Sequence, residues 1–276
     1  MASGSPDVEH CREVPRLDFG ALRVVDGCDG QLVDQIAVNS QIAPTSVAIP
    51  CSDSEHKLTA DSPALIFFTS GSTGVPKGVT HNRGSLEALV NAYGHNFNLT
   101  PDDHYLIASS MAHIGGLLGC LSSLTLGAPV IVARTTDAGE LAHMLLSCRP
   151  SVVKMLPSTL FSLVRDPHVS SAAFSSLREC CVAGDHVPPE LHREYHQLTG
   201  QHITEMYAMT EAGMLAANFG GPTDRIGAVG PPAAGVELEI RSADGTALPA
   251  GEEGDLWART PCLMQGYWGS LKPQPR

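Results

Sequence analysis

From Pro63 onward the chain alternates apolar runs of strand length with segments of helical period, and no other feature of its 276 residues restricts the fold as much. The runs at 64–69, 104–109, 129–133, 151–156, 178–183 and 203–207 read as strands. Segments 83–96, 115–125, 137–148, 157–165 and 188–199 carry helical spacing. The last is also punctuated, by Pro188 and Pro189 at its start and Gly200 after its end. Alternation of this kind predicts an α/β fold, a largely parallel sheet covered by helices on both faces. In such sheets ligands sit beyond the carboxyl ends of the strands, so the loops there are where chemistry is expected.

The texture changes at about 227. Val236-Glu237-Leu238-Glu239-Ile240, a turn at Ala243-Asp244-Gly245 and then Asp255-Leu256-Trp257-Ala258 predict a small β hairpin or barrel-like C-terminal part. Residues 1–62 are short polar stretches broken by Gly, Pro, Asp and Ser, with no assignable fold. The expected organisation is therefore a poorly assigned segment 1–62, an α/β core 63–226 and a β-rich segment 227–276.

Composition narrows the function. A hydrophobic share of 43% with 17% charged residues describes a globular chain that forms a core without staples. Lys plus Arg is 17 against 29 Asp plus Glu, a formal charge of −12. A nucleic-acid partner is not expected, because binding to a polyphosphate rests on basic residues. A small anion remains admissible where local groups supply positive potential. The eight cysteines include no C-x-x-C pair, and residues 1–15 lack a secretory apolar stretch, so reduced thiols and an intracellular, cytoplasmic location are expected. The run between Asp103 and Arg134 lacks formal charge and is long enough to span a bilayer. Four glycines and Pro129 divide it into strand, glycine-rich turn, buried helix and strand, so no transmembrane span is expected.

The positive site is found at Phe68-Thr69-Ser70-Gly71-Ser72-Thr73-Gly74-Val75-Pro76-Lys77-Gly78, directly after a strand. Glycines let backbone N–H groups approach an anion, hydroxyls donate, and lysine adds a mobile charge. The common P-loop is excluded because Pro76 stands where glycine must precede the lysine. A plain Ser/Gly surface loop has the same composition. His192 and His196, four apart on one helix, lack the Glu that a metalloprotease pattern requires, and read as a solvated helix face.

The string 68–78 resembles the phosphate-binding signature of adenylate-forming enzymes, the superfamily of acyl-CoA synthetases, luciferases and peptide-synthetase adenylation domains. Tyr207-Ala208-Met209-Thr210-Glu211 is similar to that family's Y-G-x-T-E motif. Gly227 through Gly235, Gly254-Asp255-Leu256 and Gly266-Tyr267-Trp268 are similar to the stretch that follows. Ser110 to Gly116, with His113, resembles the histidine motif of acyl- and aryl-CoA synthetases and not the pattern of amino-acid-activating domains.

The resemblance implies an acid–thiol ligase that activates a carboxylic acid with ATP to an acyl-adenylate and, in intact relatives, passes the acyl group to CoA. It implies that Thr69, Ser70, Gly71, Ser72, Thr73, Gly74 and Lys77 hold the outer phosphates, and that Gly184 and Asp185 line the adenine and acyl pockets. Tyr207 would stack on adenine, Thr210 touch the α-phosphate and Glu211 ligate Mg2+. His113, Thr210 and Lys77 would be the catalytic side chains. Against the family pattern, Ala208 replaces a glycine and would resist a positive φ there. The sequence also ends eight residues after Trp268, where the family continues into a mobile C-terminal lid, so both ends read as truncated. A lid acting in trans is one expectation. A remnant that binds nucleotide or a partner without turnover is the alternative.

Overall fold

The computed structural model describes residues 59–69, 76–219 and 226–269, with the short strands β1 (Val24–Val25) and β2 (Leu32–Val33). Its centre is a six-stranded sheet in the order β10-β9-β8-β7-β5-β6. The strands are β5 (Tyr105–Ile107), β6 (Val130–Val132), β7 (Val152–Met155), β8 (Glu179–Ala183), β9 (Thr204–Met209) and β10 (Gly213–Ala217). All pair in parallel except β10, which turns back antiparallel on β9. These are the apolar runs expected from the sequence, with β10 added. A near-continuous apolar strand is what a sheet covered on both faces needs.

The helices also fall where the spacing puts them: α1 (Arg83–Asn96), α2 (Ile114–Thr125), α3 (Ala138–Cys148), α4 (Pro157–Arg165) and α5 (Pro189–Thr199). Local chemistry fixes their ends. The side chains of Asn82 and Asp137 accept from the amides of Ser85 and Glu140, at 2.8 and 3.0 Å. Pro157 and Pro189 open α4 and α5, and Gly200 closes α5 in the left-handed conformation at φ +73°.

On one face, Leu141, Leu145, Leu160, Leu163, Leu191 and Tyr195 of α3–α5 pack on Leu106, Val153 and Val182. On the other, Leu89 and Tyr93 of α1 and Leu118 of α2 pack on Tyr105, Ile107 and Val152. The adjacent Cys180 and Cys181 divide between the two faces, and both are free thiols. The uncharged run at 104–133 is β5, a loop, α2 and β6, and no helix among the described residues is long and apolar enough to cross a membrane.

Two features depart from the sequence reading. Strand β3 (Pro63–Thr69) does not join the parallel sheet. It pairs antiparallel with β4 (Lys77–Asn82), and β4 pairs with β13 (Gly266–Tyr267), forming a second sheet. The β4 segment Lys-Gly-Val-Thr-His-Asn has little apolar signal, and only this pairing makes it a strand. In α5, His192 is buried rather than solvated, with Nε2 3.3 Å from Glu205 Oε2 on β9, while His196 stacks on His202 at 4.7 Å. The expected hairpin is present as β11 (Glu237–Arg241) against β12 (Asp255–Arg259).

Chain direction creates a crevice. After β5 the chain crosses by α2 on one face to β6, and after β7 it continues by α4 on the other. Neighbours β5 and β7 thus form a topological switch point, where the loops part at their carboxyl ends.

The opposite end of these strands is clamped. Arg178 makes a bidentate pair with Asp103, Nε to Oδ1 at 2.7 Å and Nη2 to Oδ2 at 2.8 Å. Ser151 Oγ and the Thr100 amide also donate to that carboxylate, at 2.6 and 2.9 Å. Burial alone would raise the Asp103 pKa, but these donors overcome it and hold the carboxyl well below its ordinary 3.8. The stabilisation is therefore complete above the unfolded pKa and is withdrawn as pH falls below about 4. Asp103→Asn should lower stability in urea by about 2 kcal/mol at neutral pH. It should also flatten the loss of stability between about pH 5 and pH 2, and a parallel acid limb in both proteins would refute this account of the clamp.

Candidate functional site

The two sheets meet at the carboxyl end of β9. Thr210 and Glu211 form the turn between β9 and β10, closed by Gly213 at φ +73°, where a Cβ would stand 2.5 Å from Leu89. Ala208 lies within β9 opposite Met214, away from any left-handed position, so the methyl group costs no backbone strain.

From the second sheet, His81 on β4 reaches the turn, with Nε2 2.8 Å from the Thr210 carbonyl oxygen and Nδ1 3.2 Å from Ser85 Oγ. Burial pushes the His81 pKa down against the raising effects of Thr210 and Glu211, so the ring is neutral at neutral pH. Its carbonyl partner then requires the hydrogen on Nε2. The Glu211 carbonyl accepts the Met264 amide at 2.7 Å, and its Oε1 accepts the Tyr267 hydroxyl at 3.0 Å. Burial, and then the neighbouring Glu211 carboxylate, raise the Tyr267 pKa and keep the phenol a donor. Lys77 Nζ lies 5.2 Å from the centroid of the Tyr267 ring. A continuous line of contacts thus runs Lys77, Tyr267, Glu211, then through the backbone to Thr210 and His81.

Glu211 fits a hard divalent cation. It is partly buried, and its second carboxylate oxygen has no hydrogen-bond partner among the described residues. No group of three or more His, Cys, Asp or Glu side chains that could hold a metal occurs among the described residues. One carboxylate completed by substrate oxygens and water is the arrangement Mg2+ favours.

Thr69 and Lys77 are directly paired at the loop end of the β3–β4 hairpin, so the expected phosphate loop is the connection between them. Ser70, Gly71, Ser72, Thr73 and Gly74 lie outside the described residues. Tyr207 is 40% exposed near the end of β9, so its ring is open to a ligand and not packed in the core. Gly184, at φ +95°, and exposed Asp185 follow β8, and the Asp185 carboxylate accepts the His186 amide at 2.7 Å. His113 is the exposed N-cap of α2, makes no side-chain cap bond, and has no hydrogen bond to Lys77, Thr210 or Glu211. A methyl at Gly116 would collide with the Ser110 carbonyl, so this small residue lets the His113 loop fold against its own helix.

Three residues escaped the sequence reading. His81 sits in a strand with no apolar signature, and Tyr267 appears only as part of a motif. Lys154 interrupts an apolar strand, Val-Val-Lys-Met, and that interruption is the one cue that singles it out.

A model of the family described as AMP-binding enzyme matches residues 9–268. A feruloyl-CoA synthase of Amycolatopsis is 32% identical over 213 residues, 76% of this chain and 43% of the relative. A sulfoacetate–CoA ligase of Cupriavidus necator is 29% identical over 238 residues, 82% and 46%. The ATP-bound structure of MatB from Rhodopseudomonas palustris superposes with a TM-score of 0.70 at 27% identity, covering 77% of this chain and 42% of that one. The chain thus spans less than half the length of the curated relatives it matches. A family match over nearly the whole chain, on this α/β architecture, means that the protein belongs to the AMP-binding enzyme family.

Proposed function

We propose that this chain supplies the nucleotide-binding core of an acid–thiol ligase, which activates a carboxylic acid with ATP to an acyl-adenylate, releasing pyrophosphate, and then passes the acyl group to the CoA thiol, releasing AMP. The observation that carries this reading is the line of contacts from Lys77 through Tyr267 to Glu211 and Thr210. It brings one cation, one carboxylate oxygen without a partner among the described residues and one hydroxyl to the carboxyl end of β9, with Lys77 paired to Thr69.

In this proposal Lys77 and the loop that begins at Thr69 and Ser70 and runs through Thr73 bind the outer phosphates. Thr210 donates its hydroxyl to the α-phosphate, Tyr207 offers its exposed ring to adenine, and Gly184 and Asp185 border the base. Glu211 would hold Mg2+, which when bound neutralises phosphate charge as pyrophosphate departs. Tyr267 orients Glu211 by occupying one of its oxygens and steadies the Lys77 ammonium over its ring. His81 holds the Thr210 carbonyl and so fixes the hydroxyl's direction. His113 stands at the switch-point crevice, where the acid would lie. The α/β part, 63–226, forms the core and 227–276 an accessory β segment that contributes Tyr267. CoA would be the acceptor together with a lid domain, supplied in cis or in trans. The free thiols suit a reducing, cytoplasmic setting.

The test is release of AMP and pyrophosphate from Mg-ATP across short, long-chain and aromatic carboxylates, with and without a lid domain from a relative. A carboxylate-dependent signal lost in Lys77→Ala supports the proposal. Silence in both formats from a folded sample overturns it. In calorimetric titration, Lys77→Ala and Glu211→Gln should each weaken Mg-ATP by on the order of tenfold, about 1.4 kcal/mol. Tyr267→Phe, which keeps the ring and removes the donor to Glu211, should weaken it less, by roughly threefold. His81→Phe leaves the Thr210 carbonyl unpaired and should cost about 1–3 kcal/mol of stability in urea.

A further inference from the structure

Lys154 is a cation in the middle of the parallel sheet with no counter-ion among the described residues. On β7 it pairs with Ile107 of β5 and Cys181 of β8, and its side chain stands on the α2 face. It forms no hydrogen bond or ion pair among the described residues. The Cys181 thiol is raised far above its ordinary range by burial, so it stays protonated and supplies no charge. The Lys154 side chain retains some accessible surface, as a group in the wall of a cleft does, yet burial pushes its pKa down.

The ammonium points at the first turn of α2. A methyl added at Gly115 would collide with Nζ and stand 3.3 Å from Cε. That turn is itself electropositive. Its N-cap, His113, provides no side-chain cap, and the amides of Ile114 and Gly115 have no acceptor among the described residues. A lysine is ordinarily unwelcome at a helix N-terminus, because both carry positive charge. Here two positive ends converge at the β5–β7 switch point, where the fold opens a ligand crevice. An anion between them would satisfy both.

That anion differs from the reacting carboxylate. Lys154 is level with Thr204 and two strands away from β9, about 10 Å across the sheet, and Thr210 lies six residues beyond Thr204, up to about 20 Å further along the strand direction. One carboxylate does not bridge that distance, whereas a long spacer together with the reach of the Lys154 side chain does.

Resting on the reading of the crevice as the acid's site, we infer that this chain selects acids whose far end carries a second anionic group, with Lys154 and the α2 N-terminus as its receptor. Lys154 is then a specificity-determining residue.

The probes are dicarboxylates of increasing length, terephthalate, adipate, suberate, sebacate and dodecanedioate, each titrated against its monomethyl ester, with and without Mg-ATP. At least one diacid should bind tenfold or more tightly than its ester. Lys154→Met should bring that ratio to about one, and Lys154→Arg should keep part of it. Gly115→Ala, which drives a methyl against the ammonium, should reduce it. Lys154→Met should melt no lower than the parent, since it removes an unpaired buried cation, and that melt shows the variant is folded. Equal binding of every diacid and its ester by the parent overturns the inference. So does an equal loss for both partners in Lys154→Met, which would assign the lysine to the carboxylate they share. A diacid preference without nucleotide sustains the inference even where Mg-ATP fails to bind, the result that would sink the ligase reading alone.

Discussion

The junction between the two sheets is the contact on which the site depends. A turn of two polar residues, Thr210 and Glu211, projects from the end of β9 and is closed locally by the Ala212 amide on the Met209 carbonyl at 3.3 Å. It is held from three directions: by His81 on the Thr210 carbonyl, by the Met264 amide on the Glu211 carbonyl, and by the Tyr267 hydroxyl on the Glu211 carboxylate. All three come from β4 or from the strand and loop beside it. The small antiparallel sheet is thus a buttress, and the residues around the turn are separated by up to about 190 positions in sequence while acting as one unit.

The molecule divides its labour between the two ends of the parallel strands. At the amino ends, Asp103, two residues before β5, is tied to Arg178, the residue before β8, with Ser151 ahead of β7 included in the same network. The Asp103 carboxylate there accepts from Arg178, Ser151 and Thr100. At the carboxyl ends the opposite holds. Among the described residues the α2 N-terminus has no side-chain cap, Lys154 has no counter-ion, and one Glu211 carboxylate oxygen has no partner. Unsatisfied groups concentrate where binding would satisfy them, which is how a fold stores binding capacity at a cost to its own stability.

The sheet and helices were legible because their period and punctuation are local. Segment 83–96 is helical from its first residue to its last, and the Pro188-Pro189 and Gly200 boundaries bracket α5 correctly to within a residue. The second sheet was not legible. Strand β4 is polar and becomes a strand only because β3 and β13 flank it, and β13 arrives from almost 190 residues away. The same holds for the site. Lys77, Thr210 and Glu211 stand in short motifs, whereas His81 and Tyr267 matter through whom they touch. Burial of His192 follows from Glu205, a partner on another element, and a helix read alone shows only its own spacing.

Adjacent residues on a strand face opposite sides of the sheet, and for Cys180 and Cys181 this carries an analytical consequence. Burial pushes the Cys180 thiol up to about 12, and Cys181 is raised as well, so neither is a thiolate near neutrality. Alkylation at either position must wait for the strand to leave its layer. The pair is thus a built-in two-channel clock, one channel reporting separation of α3–α5 from the sheet and the other separation of α1 and α2. Their relative labelling rates would tell whether the two helical layers peel away together or one at a time.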